Sequence, residues 1–233
     1  MTVSEETQAH RALVLFDIDG TLVRRAGPQH RAALVHGIRR VTGLDTTTEG
    51  IPVQGMLDPV IVTVMLRTAG VTRKDIRAAM PEILRAAERY YLRVCPDITD
   101  KHCPGVVPVL ERLKRRGVLL GLVTGNLTRI GWRKLERAGL HTYFRLGAFG
   151  EMATNRAGLA RLAIREARKR GWIDKTAAVS LIGDAPQDIQ AARANRIRAI
   201  SVKTGITPVG ELEVLQPDLL LRDLRQLRLR MVE

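Results

Sequence analysis

The chain has 233 residues, of which 45% are hydrophobic and 27% charged, a globular composition far from that of a disordered chain. The length suits one core domain with a smaller addition. The polar, acidic start, Met1 to Gln8, predicts no secretory signal, and no apolar stretch reaches the roughly 20 residues of a membrane span. The two cysteines, Cys95 and Cys103, match neither a zinc knuckle nor a redox pair and read as reduced thiols, so the expected location is cytoplasmic. The formal charge of +14 is unusual and raises nucleic acid as a partner. Against it, arginines lie along nearly every predicted helix (Arg39, Arg77, Arg115, Arg165 and Arg222 among them) and aromatics are only 3%, leaving no stacking platform. Solvated helix faces are the favoured reading, with nucleic acid kept as the rival.

Ala12 to Phe16 is a short apolar run ending in Asp-Ile-Asp-Gly, which predicts a strand buried on both faces, as in a parallel sheet. About a hundred residues follow before the next such run, far more than the dozen or so a crossover needs, so an inserted domain is implied. It reads as helical. Leu34, Ile38 and Val41 mark one helix, Leu57, Val60, Ile61, Val64 and Met65 a second, and Ile76, Met80, Ile83, Ala87, Tyr90 and Val94 a third, each at the three-and-four spacing of an amphipathic face. Pro104-Gly105 opens a further helix that ends at Gly117. The runs Val118 to Val123 and Ala178 to Ile182 end in Thr-Gly-Asn and Gly-Asp. Further helices are predicted over about 128–138, 156–170, 186–194 and 222–230, with strands near 144–149, 197–202 and 218–221. The alternation predicts an α/β fold, a doubly wound parallel sheet with a Rossmann-like core (1–23 and 104–233) and an inserted α-helical cap (24–103). Ligands of such sheets bind at the carboxyl ends of the strands.

Those ends carry the unusual residues. Asp17 and Asp19 stand two apart where a strand ends, and Gly20 permits the turn that lets both face one site. Thr124-Gly125-Asn126 offers a hydroxyl and free backbone N–H groups before a helix, an arrangement that binds anions. Asp184 ends another strand, and Asp188 opens the following helix, where it also complements the helix dipole. Four carboxylates at one sheet edge repel, with two charges about 4 Å apart costing on the order of 4 kcal/mol at an effective dielectric of 20. Such crowding calls for a cation. All-oxygen ligands beside a phosphate site favour Mg²⁺ over Ca²⁺.

In order and spacing these residues resemble the haloacid dehalogenase-like superfamily, whose phosphatases carry D-x-D-G-T, a later Thr or Ser, a Lys or Arg, and G-D-x-x-x-D. Lys203-Thr204-Gly205 and Pro217-Asp218 also look like phosphoglycolate phosphatase-like members. The resemblance implies a Mg²⁺-dependent phosphatase acting on a small phosphorylated metabolite through phosphoaspartate on Asp17. It makes Asp19 the general acid and base and Thr124 the holder of a phosphoryl oxygen, with Gly125 and Asn126 beside it. Asp17, Asp184 and the backbone carbonyl of Asp19 would hold the metal, with Asp188 a ligand through water or a support behind it. The basic residue is assigned to Arg156, although the Lys-Pro pair of many members is missing. A second Asp favours phosphate esters, because an alkoxide leaving group needs a proton and a halide does not. A phosphomutase with the same site is the alternative, as is a basic protein that binds nucleic acid or removes phosphate from its ends. Arg24, Arg25 and Gln54 are the candidate substrate contacts from the cap.

Overall fold

The computed structural model describes residues 9–24 and 27–233; the polar start, residues 1–8, and Arg25 lie outside them. Strand β1 (His10–Phe16) leads into three helices, α1 (Gln29–Thr42), α2 (Asp58–Thr68) and α3 (Arg73–Val94). The chain returns through α4 (Val106–Arg115) to β2 (Leu119–Val123), then α5 (Thr128–Arg137) and β3 (Leu146–Ala148). Next come α6 (Arg156–Lys169), β4 (Ile173–Gly183), α7 (Pro186–Ala194), β5 (Arg198–Val202), α8 (Val209–Val214) and β6 (Leu219–Leu221).

All six strands are parallel, in the order β3-β2-β1-β4-β5-β6. Ala12 to Phe16 is buried because β1 is central, paired with β2 and β4 and covered on both faces. Val14 and Phe16 face a layer that includes Val109, Leu113 and Leu135 of α4 and α5, whereas Leu13 and Leu15 face Leu159, Ala163 and Ile189 of α6 and α7. Connections wind outward in both directions from β1 and β4. The carboxyl ends of these two strands therefore border the crevice where the winding reverses, the place a doubly wound sheet offers a ligand.

The α1–α3 insertion has its own apolar cluster, with Leu34, Ile38, Met65, Ile83 and Tyr91 at its heart and Leu127 and Ile130 of the core joining it. Helices α1 and α3 lie so close that a side-chain carbon at Gly37 would stand 2.6 Å from the Ile83 carbonyl oxygen. No helix is long and apolar enough to cross a membrane among the described residues.

Three details differ from the periodicity. Strand β4 starts five residues before Ala178, because His10 pairs with Ile173 across an irregular register; this extension carries the exposed Asp174-Lys175-Thr176 and has no apolar signal. The helix predicted over 222–230 is two short 3₁₀ turns, Leu224–Gln226 and Leu229–Met231. Arg112 donates to the Leu227 carbonyl at 2.6 Å, so the tail is pinned over α4, and Leu224 and Leu227 are buried there. Helix α8 was not predicted, since only Leu212 of its six residues is buried.

Gly37→Ala should therefore destabilise the protein although Ala is the better helix former by roughly 1 kcal/mol. Overpacking against backbone costs about 1–3 kcal/mol, and a thermal melt should show a midpoint lower by a few degrees. A raised midpoint would mean that the two helices separate freely.

Candidate active site

Strand β1 hands over to the site through Asp17, whose N–H donates to the Ile182 carbonyl at 3.0 Å and so continues the ladder by one step. The chain then turns back, the Leu22 and Val23 amides each donating to Ile18 at 2.9 Å. Gly20 makes the turn at φ +84°, and any side chain there would strike the carboxylate of Asp184. The turn thus needs glycine twice over, for conformation and for space.

Arg156, at the first turn of α6, enters this crevice fully buried. Its Nη1 lies 3.1 Å from Asp17 Oδ1 and 2.6 Å from Asp188 Oδ1. Burial opposes its charge, but Asp17 and Asp188 more than offset that and hold it as a cation. The other oxygen of Asp188 accepts from the Ala185 N–H at 3.1 Å. Asp184 accepts from Thr21 Oγ1 at 3.1 Å and Gln54 Nε2 at 3.1 Å. One arginine cannot balance three buried carboxylates. Burial, against the partial relief of Arg156, pushes Asp17 up to about 6, and burial together with Asp17 and Asp188 raises Asp184 well above the carboxylate range.

Asp19 has different company. Lys134 Nζ donates to its two oxygens at 2.7 and 2.6 Å, and Asn126 Nδ2 donates at 2.8 Å. Desolvation works to raise its pKa, yet Lys134 and these hydrogen bonds hold it below the usual range. Lys134 also donates to Asn126 Oδ1 at 2.7 Å and sits 3.2 Å from His30 Nδ1. An ammonium only donates, so His30 Nδ1 accepts and its Nε2 carries the proton toward Asp58 Oδ2, 2.9 Å away. Asp58 Oδ2 accepts in turn from the Leu127 N–H at 2.9 Å. The chain Asp19–Lys134–His30–Asp58 thus crosses from core to insertion and back.

The fold gathers Asp17, Asp19, Thr124, Gly125, Asn126, Arg156, Asp184 and Gln54 around one cavity of about 620 Å³. The Thr124 hydroxyl is buried and accepts from Asn126 Nδ2 at 2.7 Å, leaving its own proton for another acceptor. Gln54 turns to the carboxylate edge, bonding Asp184 and, at 2.7 Å, Thr207. Arg24 is exposed and does not line the cavity; Arg25 is outside the described residues. From the insertion it is instead His30 and Arg31 that line the cavity, with Arg31 as the cation. Neither these, nor Asp58, nor Lys134 emerged from the sequence. For Lys134 a signal existed: it shares a face of α5 with Ile130 and Leu135, and a lysine on an apolar face stays buried only if paired.

Asp17, Asp184 and Asp188 can each bring an oxygen within 4.8 Å of the others. Asp17 Oδ1, though near Arg156, is buried and receives no hydrogen bond. An orphaned carboxylate oxygen in an all-oxygen cluster fits a hard divalent cation such as Mg²⁺.

A family model described as haloacid dehalogenase-like hydrolase matches residues 12–195. A curated protein named phosphoglycolate phosphatase, from Agrobacterium fabrum, is 28% identical over 216 residues, covering 91% of this chain and 88% of its own. The crystal structure of CbbY from Rhodobacter sphaeroides in complex with phosphate superposes with a TM-score of 0.71 at 20% identity, over 95% of this chain and 98% of the other. A β-phosphoglucomutase from Clostridium difficile superposes at 0.68 and 17%, over 95% and 94%. At such identities these two structures speak for the fold alone.

A carboxyl whose pKa is higher in the folded chain than in the unfolded one adds stability below its unfolded value, near 3.8 for Asp17, and that contribution is lost as pH rises through about 6. Asp17→Asn should therefore stabilise the protein in chelator at pH 7.5, by about 1–3 kcal/mol, and the gain should vanish toward pH 4. Melting curves of both proteins across that range check it; a gain independent of pH would exclude Asp17 ionisation as the cause.

Proposed function

The chain belongs to the haloacid dehalogenase-like hydrolases, and from that premise we propose that it is a Mg²⁺-dependent phosphatase, hydrolysing a small phosphorylated metabolite through phosphoaspartate on Asp17. The observation that carries this reading is the pairing of a buried Asp17, one oxygen beside Arg156 and without a hydrogen bond, with an Asp19 that is ionised at the same cavity two residues later. The name of the Agrobacterium relative supports it.

In this reading Asp17 attacks phosphorus and the ester P–O bond breaks, while Asp19 gives a proton to the departing oxygen. Thr124 and the Gly125 N–H hold phosphoryl oxygens, and Arg156 offsets their charge. Asp19 then takes a proton from water, which attacks phosphorus and releases Asp17. Lys134 keeps Asp19 in the basic form that this second step uses. For the first step Asp19 must take up a proton, which the arrival of a phosphate dianion favours because like charges disfavour a second anion. Asp17, Asp184 and the Asp19 carbonyl would hold Mg²⁺, with Asp188 behind them, and the ion would supply charge neutralisation and alignment of the phosphoryl group. Residues 24–103 serve as the cap, and Arg31, which lines the cavity, is better placed than Arg24 to meet an anionic tail.

Hydrolysis of an aryl phosphate should require Mg²⁺, stop with chelator and be absent in Asp17→Asn. Asp19→Ala should lose about 10²–10⁴-fold on alkyl phosphates and less in the phosphorylation step of an aryl phosphate. Chelator-resistant activity, an active Asp17→Asn, or equal losses of the phosphorylation rate on both substrates in single-turnover measurements would each break the assignment. Lys134→Met should lower kcat about 10-fold or more, with KM little changed, since it acts through Asp19 and not on bound substrate; a rise in KM alone would make Lys134 a substrate contact.

A further inference from the structure

Near the start of β5, away from the carboxyl ends that carry the candidate active site, lies a second cavity of about 560 Å³. Its rim is cationic. Arg161, Arg165 and Arg168 follow one face of α6 at spacings of four and three, Lys175 projects from the extension of β4, and Arg196 comes from the turn after α7. Among the described residues no carboxylate lines the cavity. None of these five side chains forms an ion pair or hydrogen bond among the described residues. Arg198, also on the rim, is engaged by the carbonyls of Met231 and Glu233.

The five side chains are exposed, and two further observations concern residues that line the cavity. Ser180, which pairs with Arg198 in the sheet, lines the cavity at 1% exposure with no hydrogen-bond partner for its hydroxyl, a condition buried polar groups rarely keep. Arg196 has φ +54°, in the position after a helix where glycine is usual. A bulky residue in that conformation is strained, and here the strain is borne by a residue that adds a charge to the rim.

We propose that this cavity binds a linear oligophosphate, a chain of three or more condensed phosphates, either inorganic or carried by a nucleotide. Five cations drawn from three elements repel one another across a space too large for one phosphate to neutralise. Arginine forks match phosphate oxygens in pairs. No aromatic side chain lines the cavity, and the ring of Trp172 beside β4 is covered by Arg145 at 4.1 Å and Arg170 at 5.0 Å. The site is thus built for phosphate and not for stacking bases.

Calorimetric titration with inorganic tripolyphosphate, in EDTA and on the Asp17→Asn chain so that turnover cannot interfere, tests the proposal. Saturable binding at one per chain is expected, with about a tenfold or greater loss in Arg165→Ala/Arg168→Ala. ATP matching tripolyphosphate would identify the phosphate chain alone as the ligand, and tighter ATP would point to a nucleotide; both support the proposal. No saturable binding, binding indifferent to the arginine pair, or displacement of tripolyphosphate by far lower concentrations of a 20-base-pair duplex would overturn it, the last in favour of nucleic acid.

Discussion

Three buried carboxylates, Asp17, Asp184 and Asp188, share a single guanidinium, that of Arg156, and much of the molecule is arranged around that imbalance. Asp188 makes the shortest contact with the arginine and so orients it, while its other oxygen accepts from the Ala185 N–H. Asp17 and Asp184 are left undercompensated, and both cling to protons. Raised proton affinity and affinity for a divalent cation are two answers to the same excess of negative charge. Because the cluster forms where the winding of the sheet reverses, its members come from two strand ends and two helix starts, and the backbone leaves room for them at Gly20 and Gly205, where a side chain would collide with Asp184.

The pair Asp17 and Asp19 shows how one short turn makes two different acids. The first is surrounded by desolvation and like charge, the second by Lys134 and Asn126. Their proton affinities move in opposite directions although they are two residues apart. In the proposed mechanism the group with the stronger hydrogen bonds is the one that shuttles protons, so the surroundings of Asp19, more than its identity, set the difficulty of each half-reaction.

The strand ends that form the candidate site were legible because they break a simple pattern: an apolar run stops abruptly at Asp, Thr or Gly. The three inserted helices were legible from their spacing. What the sequence could not display was convergence across distant segments. His30 and Asp58 are ordinary helix-start residues until α5 brings Lys134 between the insertion and Asp19. The arginines of α6 showed the spacing of a solvated face, and nothing in that spacing tells that the turn before β5 and the extension of β4 come up beside them. Their exposure is what that spacing predicts; their nearness to Lys175 and Arg196 is not visible in it. The tail over 222–230 misled for the opposite reason: its leucines are buried, but by an irregular segment tied down by Arg112.

Gln54 and Asp58 belong to the insertion, yet one holds a carboxylate of the core and the other accepts from the amide that opens α5. The Asp58 N–H also donates to the Gly125 carbonyl at 2.9 Å, within the Thr124–Asn126 turn itself. Modular exchange, in which evolution or an engineer trades one such helical insert for another over an unchanged engine, is therefore constrained here. A chimera with a foreign insert would forfeit contacts that shape Asp184 and the turn of Gly125, and its altered selectivity could not be separated from an altered catalytic centre unless residues equivalent to Gln54 and Asp58 travelled with the core.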